Sequence, residues 1–180
     1  MAELELHKSA WSFKQKVMRT LWMFAQALLF RWSFHNWYGW RRFLLRCFGA
    51  KVGVAVRVRP TVRIEIPWNV TLDDGCIVGD FAILYSLGTI HIGQRTIISQ
   101  YAHLCAGSHD YTSRKFPLTT PPIRIGEDCW IAADVFVGPG VTVGDRSVVG
   151  ARSTVTKTIP ADVVAVGSPA KVVKQRVLND

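Results

Sequence analysis

The feature that most constrains the fold is an apolar residue that recurs at every sixth position. The series is Ile125, Ile131, Val137, Val143, Val149 and Val155. The residue after each of these is small, namely Gly126, Ala132, Gly138, Gly144, Gly150 and Thr156. Such a period matches neither an α-helix nor an alternating strand. It predicts short strands with one inward apolar residue, each followed by a tight turn that needs a small residue. Three such strands would close a coil of about 18 residues.

The same period extends upstream with phase slips. Its upstream members are Val52, Val58, Ile64, Val70, Val78, Leu84, Ile92, Ile98 and Leu104. The repeats span residues 52–166 and predict an all-β, parallel β-helix, because coils of this kind bury a continuous core by stacking. Between Leu104 and Ile125 the period is lost, and residues 107–124 are predicted to form an extruded loop. Since a regular coil does not need an insertion, we interpret it as an active-site loop.

The two ends of the chain are predicted to cap the coils. Residues 1–51 are interpreted as a basic, Trp-rich helical segment, because residues 12–31 contain neither Gly nor Pro and are rich in helix formers. Residues 167–180 are predicted to form a short C-terminal cap. Both would cover open ends of the coil, which otherwise expose unpaired strand edges. With 180 residues, the chain is long enough for one such body and short for two domains.

The positive charge is concentrated in the first third of the chain. Residues 1–59 contain 11 Lys or Arg against only two Glu, and the remainder contains 11 residues of each sign. The relevant side chains are Trp11, Trp22, Trp32, Trp37 and Trp40, with Arg31, Arg41, Arg42 and Arg46. A segment of this composition is typical of peripheral contact with an anionic membrane. Alternatively, its apolar face packs on the coil or on a neighbouring subunit and its arginines are solvated. Nucleic acid is not expected, because no binding motif accompanies the charge.

The sequence predicts neither a membrane-spanning helix nor a secretory signal. The best apolar run, residues 21–30, is about half of the roughly 20 residues that a span needs, and the first residues are acidic where a signal would be basic. We therefore expect a cytoplasmic protein, and a peripheral position on the inner face of the cytoplasmic membrane stays open. Cys47, Cys76, Cys105 and Cys129 show no Cys-x-x-Cys spacing. They are expected to be small buried hydrophobic residues.

Several longer motifs carry a resemblance that covers nearly the whole chain. They are WRRFLLR at 40–46, FGAK at 48–51, PWN at 67–69, SHDY at 108–111, VTK at 155–157, IP at 159–160 and GSPAK at 167–171. Together with the repeat, they resemble the hexapeptide-repeat acyltransferases. The likeness is greatest to the colanic-acid-biosynthesis and exopolysaccharide O-acetyltransferases, which are related to the galactoside and maltose O-acetyltransferases. The resemblance implies a left-handed parallel β-helix and a homotrimer whose active sites lie between subunits.

The resemblance also implies an activity, namely direct transfer of acetyl from acetyl-CoA to a sugar hydroxyl in exopolysaccharide or capsular glycan biosynthesis. Such a reaction needs a base for the hydroxyl proton, and His109 at the start of the loop matches the family's general base. His7 and His35 lie outside the coils and are weaker candidates. Asp110 is expected to orient His109 or to receive an acceptor hydroxyl.

The remaining site residues are implied by the same family. Tyr85 and Ser86 are expected at the acceptor. Relatives usually read YNLG where this chain reads YSLG at 85–88, so Ser86 would replace an acceptor-binding Asn with a single hydroxyl of shorter reach, or would merely fill a turn. The donor residues are Trp130 near the thioester, the backbone amides of Ala133 and Ala151 along the pantetheine arm, and Thr156, Lys157 and Lys174 at the phosphate end. No metal is expected.

Three other interpretations remain open. N-acylation of an amino sugar would use the same base. A metal-binding coil of the γ-carbonic-anhydrase type is suggested by His91, His103 and His109, which fall at the same place in their hexapeptides. In that register His91 and His109 could stack, and a neighbouring subunit would complete the ligands. A noncatalytic scaffold would retain the fold alone, but the loop histidine and Lys157 argue against it.

Overall fold

The computed structural model describes residues 11–178. Its helical elements are α1 (Phe13–Ala25), a π-helical turn (Gln26–Phe30), α2 (Tyr38–Cys47) and a 3-10 turn (Pro67–Asn69). Its strands are β1 (Lys51–Val52), β2 (Arg57–Val58), β3 (Arg63–Ile64), β4 (Val70–Leu72), β5 (Ile77–Val78), β6 (Ile83–Tyr85), β7 (Ile90–Ile92), β8 (Ile97–Ile98), β9 (His103–Cys105), β10 (Ser108–His109), β11 (Leu118–Thr119), β12 (Ile123–Ile125), β13 (Trp130–Ile131), β14 (Phe136–Val137), β15 (Thr142–Val143), β16 (Val148–Val149), β17 (Thr154–Val155), β18 (Val163–Val166) and β19 (Lys171–Gln175).

Three sheets of parallel strands form the faces of the coil. Face A holds β1, β4, β7, β12 and β15, face B holds β2, β5, β8, β13, β16 and β18, and face C holds β3, β6, β9, β14 and β17. Antiparallel β19 extends face B beyond β18. Counting each A, B, C set as one coil, β7–β9 belong to the third coil, β12–β14 to the fourth and β15–β17 to the fifth. The predicted parallel β-helix is confirmed. Its left-handed sense remains an implication of the resemblance.

The sixfold apolar series fills the interior of the coil. From Ile125 to Val155 every member is at most 1% exposed. Upstream, Leu72 stacks between Val52 and Ile92, so Val70 is buried but does not occupy the repeat position assigned to it. The first two coils are longer because they have two extra residues at the corner between faces C and A. In the first coil this corner holds the 3-10 turn Pro67–Asn69.

The small residue after each apolar position has a different cause from the one predicted. Gly126 does not have a positive φ, and the positive φ of this corner is carried by Asp128 at 53° and, one coil later, by Arg146 at 56°. A Cβ atom on Gly126 would lie 2.7 Å from the backbone nitrogen of Asp145 in the next coil. Small residues are therefore required by the close approach of successive coils, and not by the turn itself.

Residues with positive φ also bind one coil to the next at the corner between faces A and B. Arg95 donates to both carboxylate oxygens of Asp128 at 2.7 and 2.6 Å, and Arg146 does the same to Asp162 at 2.6 and 2.8 Å. Hydrogen bonding to these guanidinium groups lowers the pKa of both carboxyl groups. Two bidentate pairs thus link coils along one corner.

The helix α1 caps the exposed edge of face C in the first coil. Ile64 on β3 has no preceding coil to pair with, and α1 and the π-helical turn supply its partners. The Nε1–H group of buried Trp22 donates to the Ile64 carbonyl oxygen at 2.7 Å, and the Ile64 N–H group donates to Oε1 of Gln26 at 2.7 Å. Both backbone groups of the edge strand are therefore satisfied, as an unpaired edge requires.

Arginines of α2 cap the same end of the coil on faces A and B. Fully buried Arg41 donates to the carbonyl oxygen of Val58 at 2.6 Å, and Arg42 donates to that of Val56 at 2.9 Å. Arg46 donates to the carbonyl oxygen of Val52 at 2.6 Å. The expectation that these arginines face lipid or bulk water is wrong for Arg41, and the other two are anchored to the coil edge as well. The helix α2 itself was not predicted as a separate element.

Other features of the ends agree only partly with expectation. The predicted helix at 12–31 is present as α1 and the π-helical turn, and Ser12 and Gln15 form a capping box at its start. No helix within residues 11–178 is both long and apolar enough to cross a bilayer. Cys76 and Cys129 are buried as expected, and burial raises the pKa of Cys76 to about 12, but Cys47 is exposed and Cys105 is half-buried.

Candidate active site

The extruded loop leaves the coil at the corner between faces C and A. This is the corner that already carries the extra residues of the first two coils. Asn69 holds those turns together, because its Nδ2 donates to the carbonyl oxygens of Ser86 and Leu87 at 2.9 Å each. Within the loop, β10 pairs with β11 as an antiparallel hairpin, and β12 resumes the coil at Ile123, inside the range predicted for the loop. The insertion is therefore an ordered hairpin that stands on an expanded corner.

His109 lies on the exposed side of this hairpin. Its Nδ1 atom is 2.6 Å from the carbonyl oxygen of Phe116. Since a carbonyl can only accept, Nδ1 carries a proton, and in the neutral ring the lone pair is then on Nε2. No hydrogen bond from any described residue engages Nε2, so the ring is oriented through one nitrogen and open at the other. This is the arrangement that a general base requires.

Asp110 is engaged within the loop and not with His109. Its Oδ1 atom accepts hydrogen bonds from the backbone N–H group of Thr112 at 2.9 Å and from the Thr112 hydroxyl at 2.6 Å. These bonds lower the pKa of the Asp110 carboxyl group. The orienting contact expected from Asp110 is therefore made by the Phe116 carbonyl, whereas a contact between Asp110 and the acceptor stays a prediction.

Ser86 does not fit the acceptor role. It is fully buried, and its hydroxyl donates to the carbonyl oxygen of Ile66 and accepts from the Ile66 N–H group, both at 2.9 Å. The expectation that its hydroxyl holds the acceptor is wrong, because both of these bonds join one coil corner to the next. Tyr85 is half-buried beside the start of the loop. A Cβ atom on Gly107 would lie 3.1 Å from the Tyr85 ring, so this glycine lets the loop close over the tyrosine.

The first group of donor candidates lies on face B and at the corner between faces B and C. Trp130 is 48% exposed, and its Nε1–H group donates to the Ser99 hydroxyl at 2.9 Å. Ala133 and Ala151 occupy equivalent positions of the fourth and fifth coils, as the Ile131–Val149 register shows. Lys174 lies on β19, where it pairs with Val164 of β18, and it is on the same face as Trp130. These positions form a row along one side of the coil.

The second group of donor candidates lies at a different corner. Thr156 and Lys157 are exposed and follow β17, so they lie at the corner between faces C and A, two coils beyond the start of the loop. This corner and Ala133 lie on opposite sides of face C. The width of that face is about 16 Å, the length of five residues of extended chain. Within residues 11–178, no hydrogen bond or ring contact joins His109 to Trp130. The contacts within one chain therefore do not link the base to the first donor group.

The three histidines considered for a metal are kept apart. His91 on face A pairs with Asp73 through Nε2 at 2.7 Å, and the residue stacked on it is Arg124, not His109, because the third coil contains the loop. His103 on face C lies edge-on between Tyr85 and Phe136. The predicted stacking of His91 and His109 is therefore wrong. Among the residues described, no three His, Cys, Asp or Glu side chains are grouped to hold a metal ion.

The sequence did not identify two groups that shape this site. The Phe116 carbonyl is a backbone atom, so no residue type marks it, although Phe116 has a φ of 43° that fixes where its carbonyl points. Asn69 was noted only as part of a motif. Its pairing with two carbonyls across the coil corner depends on a contact between adjacent coils, which a period cannot reveal.

Comparison with known proteins gives independent findings on this fold and site. A family model described as bacterial transferase hexapeptide, six repeats, matches residues 122–157. WcaF of Escherichia coli strain K12, provisionally named as a colanic acid biosynthesis acetyltransferase, is 55% identical over 157 residues, which cover 87% of this chain and 86% of that protein. This match extends well beyond residues 122–157, which the family model covers.

Two solved structures share the architecture over most of its length. A maltose O-acetyltransferase from Clostridium difficile 630 has a TM-score of 0.81 and 26% identity, and the match covers 90% of this chain and 88% of that one. A galactoside acetyltransferase in complex with coenzyme A has a TM-score of 0.77 and 26% identity, with 93% and 84% covered. Both resemble the chain in its coils and in the segments that flank them.

Proposed function

We propose that this chain, which belongs to the hexapeptide-repeat acetyltransferase family, transfers acetyl from acetyl-CoA directly to a sugar hydroxyl in exopolysaccharide or capsular glycan synthesis. The observation that carries the proposal is the orientation of His109 by the Phe116 carbonyl, with Nε2 left open. The family relationship to WcaF and to the maltose and galactoside acetyltransferases supports the type of acceptor.

In the proposed reaction, Nε2 of His109 takes the proton of the acceptor hydroxyl as that oxygen attacks the thioester carbonyl carbon. A carbon–oxygen bond forms and gives a tetrahedral intermediate, whose oxyanion needs hydrogen-bond donors nearby. Collapse of the intermediate breaks the carbon–sulfur bond, and the proton on His109 passes to the departing thiolate. The ester and free coenzyme A leave, and the enzyme returns to its starting state without a covalent intermediate.

The donor is proposed to be acetyl-CoA, held by Trp130, Ala133, Ala151, Thr156, Lys157 and Lys174. Support comes from the galactoside acetyltransferase, which was solved with coenzyme A, and from the exposure of Trp130, Ala151 and Lys157. Lysine ammonium groups suit the phosphates, and small residues let the pantetheine approach the backbone. No metal takes part in this proposal.

We further propose that the active site is completed between subunits of a homotrimer. The outward residues of face B are largely apolar and those of face C are mixed, whereas those of face A are polar. On faces B and C they include Ile77, Ile97, Trp130, Val148, Ile83 and Phe136, and on face A they include Thr71, His91, Arg124 and Thr142. Face B of one subunit against face C of the next would close a threefold ring and would bring one chain's His109 to another chain's donor row.

We also propose a cytoplasmic enzyme that touches the inner face of the membrane through α1. An apolar stripe with helical spacing lies on the side of α1 away from the coil. Its members are Phe13, Val17, Leu21, Phe24 and Leu28, each at least 41% exposed. A contiguous exposed patch of this kind marks an interaction surface. Residues 12–59 contain no acidic side chain, so the patch is set in positive charge that favours anionic lipid.

The activity is tested by release of coenzyme A from acetyl-CoA in the presence of a panel of oligosaccharides, amino sugars and lipid-linked glycans. Acceptor-dependent release with an ester-linked acetyl product supports the proposal. An amide-linked product on an amino sugar would replace it with N-acylation, and no acceptor-dependent release across the panel would refute it.

A further inference from the structure

A cleft lies between α1 and the first coil, two coils before the loop leaves face C. It has a volume of about 800 Å³. Its lining includes Lys16, Arg19 and Arg31 from the helical segment, and Arg63 and Glu65 from the coil. We call this cleft the α1 groove. Four cations against one carboxylate give it a strongly positive lining.

The single carboxylate of the α1 groove is already neutralised. Glu65 accepts a hydrogen bond from Arg19 at 2.8 Å and lies 3.5 Å from Arg63, so it is held between the helix wall and the coil wall. Lys16 and Arg31 make no side-chain hydrogen bond or ion pair with any residue from 11 to 178. Among residues 11–178, the α1 groove therefore contains two cations without a counterion, Lys16 and Arg31, in addition to the ion pairs of Glu65.

The walls of the α1 groove are fixed by the same contacts that cap the coil. Buried Trp22 forms part of the lining while its Nε1–H group is bound to Ile64, and Gln26 lies at the start of the π-helical turn. Such π-helical turns are frequent at functional sites. On the open side, the lining includes Trp32, which is 80% exposed. The α1 groove thus has walls that are held in place by hydrogen bonds and an exposed aromatic residue on its open side.

We propose that the α1 groove binds the phosphate groups of acidic membrane lipids, with Lys16 toward one end and Arg31 toward the other as its principal cations. Phosphates match the positive lining, and the apolar chains of the lipids would contact the exposed rim at Trp32. The inference rests on the proposed membrane contact and specifies its partner. Binding here would orient the coil with its N-terminal end toward the bilayer and its loop away from it.

The test is binding of the full chain to vesicles by sedimentation, with phosphatidylglycerol in phosphatidylcholine compared with pure phosphatidylcholine. Lys16→Gln with Arg31→Gln should weaken binding to the acidic vesicles roughly 30-fold, from about fivefold per cation near an anionic surface. Both residues are exposed, so the fold should be retained, and an unchanged melting temperature checks this.

The matched control removes the same charge from the first coil outside the α1 groove. Lys51→Gln with Arg57→Gln should lower binding less than about threefold, because these exposed residues lie about one helix diameter, close to a Debye length, farther from the bilayer. Equal losses in the two double variants would overturn the α1 groove and leave only diffuse attraction. No loss in the Lys16–Arg31 variant would overturn it as well.

Two further measurements distinguish failure of this inference from failure of the proposals on which it rests. Leu21→Gln with Phe24→Gln disrupts the stripe and should reduce binding to both kinds of vesicle, which tests the membrane contact itself. Titration with inorganic phosphate tests the source of the phosphate group, and saturation at micromolar phosphate without vesicle binding would overturn the lipid assignment. Acetyl transfer to a soluble glycan should be unchanged in the Lys16–Arg31 variant, so failure of the α1 groove and failure of the enzyme activity are distinguishable.

Discussion

The carbonyl oxygen of Phe116 lies 2.6 Å from Nδ1 of His109 and fixes the ring of the only histidine in the loop. His109 ends β10 and Phe116 lies in the connection two residues before β11, so the hairpin connection holds the proposed base in place. Phe116 has a φ of 43°, and its carbonyl direction depends on that conformation. Proper function of the loop should therefore depend on the backbone at position 116 more than on its side chain.

Phe116→Val should lower kcat between tenfold and 100-fold, because a β-branched residue disfavours the positive φ at which the carbonyl is aimed at His109. Phe116→Asn is the matched control, since asparagine tolerates positive φ and should retain near-normal kcat. Steady-state kinetics with a fixed acceptor measure both. Equal activity in the two variants would remove the orienting role from this carbonyl.

Ser86→Ala should destabilise the fold by about 2 kcal/mol, because it leaves the buried N–H group of Ile66 without its partner and leaves the Ile66 carbonyl with the Asn69 N–H group alone. The KM for the acceptor should stay unchanged. Thr89→Ala, at an exposed position of the same corner, should change the free energy of unfolding by less than about 0.5 kcal/mol. Urea unfolding and acceptor kinetics measure the two effects. A raised KM with unaltered stability would restore Ser86 to the acceptor site.

His103 should make stability depend on pH near neutrality. Its Nε2 atom is buried without a hydrogen-bond partner among residues 11–178, and burial, followed by the nearby charge of Arg63, lowers its pKa. The unfolded chain therefore binds the proton more readily than the folded one, and stability is lost as pH falls below about 6.5. His103→Leu should flatten the free energy of unfolding between pH 7 and pH 5 relative to wild type. Parallel pH curves for the two proteins would contradict this.

Two inactive variants should complement each other if the site lies between subunits. His109→Asn removes the base, and Ala151→Trp blocks the donor row at an exposed position. Co-refolded in equal amounts, they should recover about a quarter of wild-type activity, because random assembly of a cyclic trimer pairs an intact base with an intact donor row at one interface in four. Each variant refolded alone is the control. Recovery no greater than the controls would place the whole site within one chain.

The period of six was sufficient to predict the coil, because each repeat buries one residue and every coil repeats the same local geometry. It misplaced Val70 because two extra residues at a corner shift the register without disturbing burial. It also gave the wrong cause for Gly126, since the approach of the next coil is a contact between residues 18 or more apart. The local sequence pattern therefore predicts the strands, whereas contacts between stacked coils determine the register and the positions that need small residues.

The arginines of α2 show the same limit. Their spacing suggested a surface for lipid, yet Arg41 is buried where it binds the carbonyl of an edge strand. The need for such a cap follows from the open end of the coil, but the residue that meets the need depends on how the helix docks. Similarly, the interruption of the six-residue period identified the loop that carries His109. The burial of Ser86 could not be predicted in this way, because it depends on the conformation of the coil corner.

The measurement that tests the account most directly is kcat for acetyl transfer by His109→Asn, with binding of coenzyme A followed by calorimetry. Asparagine can still donate to the Phe116 carbonyl but cannot accept the hydroxyl proton at the position of Nε2. The account predicts a loss of 100-fold to 10,000-fold in kcat with unchanged affinity for coenzyme A and an unchanged melting temperature. A kcat within a few fold of wild type would contradict the assignment of His109 as the base, and with it the proposed mechanism.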